Sequence, residues 1–172
     1  MPIDVDGAAN RFAEIARRYC SVVDSARSLD RSTFLLQIYS ILPKLLDEAI
    51  ALPDIELPDL EEPARGAGNM LSGFRQRQAE WSSLYESLKE KLRDWDLYQQ
   101  VFDPTKDTEL IHGSLADDIA DIYQDLKTGL AEISIHPVPA IFEWRVGFYS
   151  HWGEHAMSAL RTIHFRLEDT FL

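Results

Sequence analysis

Asp117, Asp118, Asp121 and Asp125 lie close together in the sequence, and Arg145, His151 and His155 return later in the chain. Carboxylates opposite imidazoles bind metal ions, move protons, or hold two helices in register. His151 and His155 are spaced i, i+4, which puts both rings on one face of a helix. With Asp118 and Asp121 from a facing helix they would make a site of two imidazoles and carboxylates, suited to zinc, manganese or iron. An open coordination position in such a site binds a water and lowers its pKa toward neutrality, the basis of metal-assisted hydrolysis. His151 is followed by Trp152 rather than Glu, so the zincin signature is absent.

Apolar residues recur at helical spacing nearly everywhere, and no hairpin dipeptide or sustained alternation suggests a sheet. The expectation is an all-α bundle of about five main helices in a single domain covering residues 1–172. The first helix spans about residues 5–27. The second is capped by Asp30 or Ser32 and carries Pro43 inside its pattern, which predicts a kink or break near Leu42. Pro53, Pro58 and Pro63 punctuate an acidic stretch read as an exposed, mobile loop. A third helix covers about residues 69–93, and a short helical turn is expected to include Trp95, Leu97, Tyr98, Val101 and Phe102. Ser114 and Asp117 resemble a capping box that opens a fourth helix ending near Ile133. Pro139 suits the first turn of a fifth helix continuing to about Glu168.

The short connection makes the last two helices antiparallel neighbours. If they turn near His136, equal distances from the turn face each other. That register places Asp121 near His151, Asp118 near His155 and Asp125 near Arg145. At about 100° per residue, Asp118, Asp121 and Asp125 flank the apolar stripe of Leu115, Ile119, Ile122 and Leu126. The constellation therefore sits at the edge of the buried face.

Composition narrows the functional classes. A chain of 172 residues can bury roughly 70% of the surface it exposes unfolded, enough for a core without metals or disulfides. The single Cys20 excludes an internal disulfide, and its place beside the first helix's apolar stripe reads as a buried structural thiol. The opening residues Met1, Pro2, Ile3 and Asp4 lack the basic flank and apolar run of a secretory signal, so the expected compartment is the cytoplasm. The greasiest run, residues 34–46, is interrupted by Gln37, Ser40 and Lys44, so no membrane span is expected. A net charge of -12 opposes direct contact with nucleic acid. Basic residues between Arg75 and Arg93 alternate with Glu80, Glu86 and Glu90, the mark of a solvated helix face. Gly66, Gly68 and Gly73 fit no phosphate-binding spacing, and no serine sits in a nucleophile elbow.

The run from Ser114 through Ala116, Asp117, Asp118, Asp121, Tyr123 and Asp125 to Lys127 is followed by Trp144, Arg145, Phe148 and the segment His151, Trp152, Gly153, Glu154, His155, Ala156. Together with Tyr98, Phe102, Asp103 and Pro104, this pattern resembles a bacterial family known as domain of unknown function 5063. The resemblance extends over nearly the whole chain. It implies an all-helical, bacterial, cytoplasmic protein and carries over no catalytic residue.

Two functions follow from the residues. The leading one is a small accessory or protein-interaction domain, monomeric or homodimeric, in which Asp117, Asp118, Asp121, Asp125, Arg145 and the histidines form a structural network. The other is a divalent-metal-dependent hydrolase of a phosphorylated small molecule, with His151, His155, Asp118 and Asp121 as ligands. A pocket taking a small anion through Arg145 and the His pair is a further possibility.

Overall fold

The computed structural model describes residues 5–55 and 67–171, and most of them are helical. Six α-helices occur among these residues: α1 (Val5–Asp24), α2 (Arg31–Ile50), α3 (Ala67–Leu92), α4 (Leu115–Glu132), α5 (Pro137–Ser150) and α6 (Trp152–Phe171). A two-stranded antiparallel sheet, β1 (Leu97–Val101) and β2 (Leu110–Ser114), separates α3 from α4. The all-α expectation therefore holds for the bulk of the fold. Pro53 and Asp54 precede the remainder of the acidic stretch, which with Pro58 and Pro63 lies outside the described residues.

Local chemistry explains most boundaries. Asp30 rather than Ser32 caps α2, accepting the Thr33 backbone N–H at 2.9 Å. The helix then runs through Pro43 without the expected break. Pro43 lies on the exposed side, where water can satisfy the carbonyl it leaves without a donor.

The segment expected as a helical turn is instead a strand. Only Arg93–Trp95 winds, as a 3-10 turn, after which Leu97 pairs with Ser114 and Val101 with Leu110. Side chains alternate as a strand requires: Leu97 and Gln99 are exposed, Tyr98 and Gln100 half-buried. Asp103 organises the connecting loop, its carboxylate accepting from Thr105 N–H and from Lys106 Nζ.

The fifth expected helix is two. His151 leaves helical geometry at φ -152 and ψ -88, and α6 begins at the next residue. The chain passes so close to itself here that a Cβ on Gly153 would lie 2.1 Å from the Phe148 carbonyl oxygen. Only glycine fits. This offset lets α5 and α6 each pack on α4 while α6 also lies along α2.

One apolar cluster binds the helices together. Phe12 of α1 meets Trp144 of α5 at 4.8 Å and Trp152 of α6 at 5.9 Å between ring centroids. From α2 come Phe34, Leu35, Ile38, Leu42 and Leu45, and from α4 Leu115, Ile119, Ile122 and Leu126, all fully buried. Helix α4 touches α1, α3, α5 and α6, so side chains at its margins are reached from several directions. No helix is long and apolar enough to cross a membrane among the described residues.

Candidate metal centre

The start of α4 is held by two side chains. Ser114 Oγ accepts from the Asp117 N–H, the forward half of the expected capping box, and donates to Asp96 Oδ1 at 2.9 Å. Asp96 also accepts the Ala116 N–H at 2.8 Å, and its carbonyl takes the Leu115 N–H. With the first turn secured, Asp118, Asp121 and Asp125 follow at spacings of three and four on the α6-facing side.

Each carboxylate has a definite partner. Asp118, only 3% exposed, accepts from the Tyr98 hydroxyl at 2.7 Å through Oδ2 and from His155 Nδ1 at 2.8 Å through Oδ1. Asp125 Oδ2 accepts from His151 Nδ1, also at 2.8 Å. Asp121 Oδ1 accepts the indole N–H of Trp81 at 2.6 Å. Both imidazoles thus face their carboxylates through Nδ1, and each Nε2 points to the other side of its ring.

The two Nε2 atoms converge on one oxygen. Asp121 Oδ2 lies 3.4 Å from His155 Nε2 and 3.9 Å from His151 Nε2. Donor atoms of Asp121, His151 and His155 all fall within 4.8 Å of one another. Ligands about 2.1 Å from a shared ion lie roughly 3–3.5 Å apart, so small rotations of the rings would close this set around a metal. The His151 side chain is 50% exposed and those of His155 and Asp121 18% and 20%, which leaves the His151 side accessible to water.

Burial and charge set the protonation of the buried half. Burial lifts Asp118 to about 6, against the pull of its hydrogen bonds from His155 and Tyr98. Burial alone would lower His155, but the hydrogen bond to Asp118 and the charges of Asp118, Asp121 and Glu154 outweigh it and raise the imidazole to about 9. Burial, then the charge of Asp118, pushes the Tyr98 phenol up, so it remains a donor. Asp117 is raised by burial and by the neighbouring charge of Asp121.

The structure reassigns several expected roles. Asp118 faces His155, as the mirrored register requires, but it stands behind the ring on the Nδ1 side rather than in the converging set. Asp121 meets both histidines, not His151 alone. Asp125 takes His151, and Arg145 is elsewhere: its Nη1 donates to the Leu52 carbonyl at 2.8 Å and its Nε lies 3.4 Å from Asp54. The guanidinium also sits 5.4 Å from the Tyr149 ring centroid. It is a clamp between α5 and the end of α2, outside the His–Asp cluster. Trp81, inside the expected third helix, and Tyr98, expected in a helical turn, complete the cluster without having been singled out from the sequence. Their partners lie 40 and 20 residues away, so no local pattern announces them.

Comparison with known proteins agrees with this architecture and adds no chemistry. No curated protein matches the sequence. The crystal structure of protein BF1032 from Bacteroides fragilis superposes with a TM-score of 0.71 at 24% identity, over 92% of this chain and 91% of that one. Similarity at that identity establishes a shared fold. The family described as domain of unknown function DUF5063 matches residues 3–168, and the chain belongs to that family.

Proposed function

We propose that the protein binds one divalent first-row transition metal through Asp121 Oδ2, His151 Nε2 and His155 Nε2, and that it is a metal-dependent hydrolase of a small substrate. The observation that carries this is the orientation of the two rings. Each Nδ1–H is tied to its own carboxylate, Asp118 or Asp125, so each Nε2 is presented to the same Asp121 oxygen. Carboxylate–histidine pairs of this kind orient and strengthen imidazole ligands in metal sites. Three protein ligands leave positions for water, which a bound zinc, manganese or iron(II) ion would acidify. Asp118 and Asp125 act as positioning residues and Tyr98 orients Asp118.

A second reading has its own support. With His155 lifted to about 9, the His155–Asp118 pair is ionic near neutral pH and can hold α6 against α4 without an ion. The protein would then be an accessory or protein-interaction domain whose partners dock elsewhere.

Metal analysis of protein purified without a tag or chelator, followed by calorimetric titration with zinc and manganese, separates the two. One ion per chain, with affinity lost in Asp121→Asn and His151→Ala while helicity is retained, is the expected result. No binding and no shift in melting temperature with any ion overturns the metal reading.

A further inference from the structure

Beside the His–Asp cluster, an open cavity of about 240 Å3 is lined by Arg77, Gln78, Trp81, Asp121 and Gln124. A second cavity of about 250 Å3 shares Arg77, Trp81 and Gln124 and continues between α3 and α4 past Leu84 and Ala120, with Glu80, Lys127 and Glu132 also lining it. Arg77 and Trp81, one helical turn apart on α3, stand where the two meet. We infer that these cavities hold a small phosphate monoester, its phosphoryl group between Arg77 and the metal held by Asp121 and its organic group in the second cavity against Trp81. This assignment rests on the metal reading of the centre.

Charge gives the reason for an anion. Arg77 is the one cationic side chain lining the cavity that contains Asp121, and none of the ion pairs among the described residues uses it. Its planar fork matches a phosphate in two-point contact. Gln78 and Gln124 add neutral amide donors to the same wall. Without a metal, Asp117, Asp118, Asp121 and Asp125 give the site a negative field that repels an anion. A bound dication offsets part of that charge and presents a positive centre directly to the phosphoryl oxygens. Phosphate binding is therefore coupled to metal binding, and each ligand tightens the other by the same factor.

The second cavity supplies the rest of the ligand. Trp81 has its indole N–H bound to Asp121 and its ring stacked on Tyr85 at 5.1 Å, which gives a rigid apolar wall. Each cavity is below the roughly 300 Å3 at the lower end of common ligand pockets, so each holds one part of the ligand rather than the whole of it.

Cobalt(II) provides a visible probe of the metal's surroundings. The cobalt-loaded protein would be titrated with inorganic phosphate, methyl phosphate, phenyl phosphate and acetate, following the visible bands. The expected result is saturable binding of the phosphates, with phenyl phosphate tighter than methyl phosphate and acetate weaker than both. Arg77→Gln should load cobalt yet bind phosphate about tenfold more weakly, the size of one charge-assisted hydrogen bond, and Arg77→Lys should fall between. Unchanged phosphate affinity in Arg77→Gln overturns the Arg77 assignment while leaving the metal reading in place. Acetate binding as tightly as phosphate overturns the choice of phosphate, and equal affinity for the methyl and phenyl esters removes the organic group from the second cavity. If cobalt does not bind, the metal reading and this inference fall together.

Discussion

The seam between α1 and α2 and the seam between α4 and α6 are built on opposite terms. The first is almost wholly apolar, closed by Ala9, Phe12, Ala13, Ala16 and Val23 against Phe34, Leu35, Ile38, Leu42 and Leu45. Its buried polar group, the Tyr19 hydroxyl, is satisfied by the Ile119 carbonyl at 3.2 Å. The second has an apolar floor, but its margin carries Asp118, Asp121, Asp125, His151 and His155 in specific pairs. A dry seam gains from every buried methylene and tolerates repacking. A polar seam gains little net energy, and a single lost partner strands a buried group. The α1–α2 seam therefore draws its stability from burial alone, while the α4–α6 margin adds charged pairs whose net contribution is small and whose disruption is costly.

The largest expected effect breaks the dry side. Phe12→Ala removes a fully buried ring that touches Trp144 and Trp152 together, and should cost about 3–5 kcal/mol in urea unfolding. The loss spans α1, α5 and α6, so the transition should stay cooperative while its midpoint falls. A change below about 1 kcal/mol would mean that the aromatic cluster is not the centre of the core.

Asp118→Asn is smaller and falls on the polar side. It removes the charge opposite His155 and reverses one hydrogen-bond role at a position only 3% exposed. The expected cost is about 1–3 kcal/mol. Under the metal reading, ion affinity should drop by about 10- to 100-fold as well, because a positioning carboxylate has been lost. Stability lost with metal affinity intact would sharpen the contrast in the other direction, toward a register-holding pair.

What the sequence disclosed follows the range of the forces. Asp30 and Ser114 announce helix starts because capping involves residues three apart. The spacing of Asp118, Asp121 and Asp125, and of His151 and His155, likewise shows which side chains share a face. The pairing of Asp118 with His155 followed from two antiparallel helices and a short turn. The hairpin did not, since its strands are joined by the long loop at 102–109 and read locally as part of an amphipathic turn. The break at His151 depends on Gly153 meeting Phe148, a packing event with no local breaker such as proline. Arg145 shows the limit best: a shift in helix phase sent it to Leu52 and Asp54 instead of Asp125.

The pH dependence separates the two readings of the polar seam. His155 is raised above its ordinary 6.5 to about 9, so its folded-state proton stabilises the apoprotein fully below about 6.5. That contribution is lost as pH rises through about 9. The melting temperature of apoprotein should therefore decline from pH 6.5 to pH 9, and the decline should flatten in His155→Gln. With zinc or manganese present, the trend should reverse over the same range, because the metal displaces the Nε2 proton. Identical profiles with and without metal would leave the ionic pair as the whole role of His155.

The smallest effect tests the dry seam by reactivity. Cys20 is 4% exposed, and burial pushes its thiol up to about 12, with the charge of Lys127 working against that rise. A thiol that is both covered and protonated presents no nucleophile at pH 8. Disulfide reagents should therefore label it only when the α1 side opens, at a rate that follows unfolding and accelerates sharply in Phe12→Ala. Cys20→Ser should shift stability by about 1 kcal/mol, since a small apolar group is replaced by a hydroxyl in the same space. Rapid labelling of the native protein would contradict the contrast itself: α1 would then open on its own, and the polar margin of α4 and α6 would be the more rigid of the two.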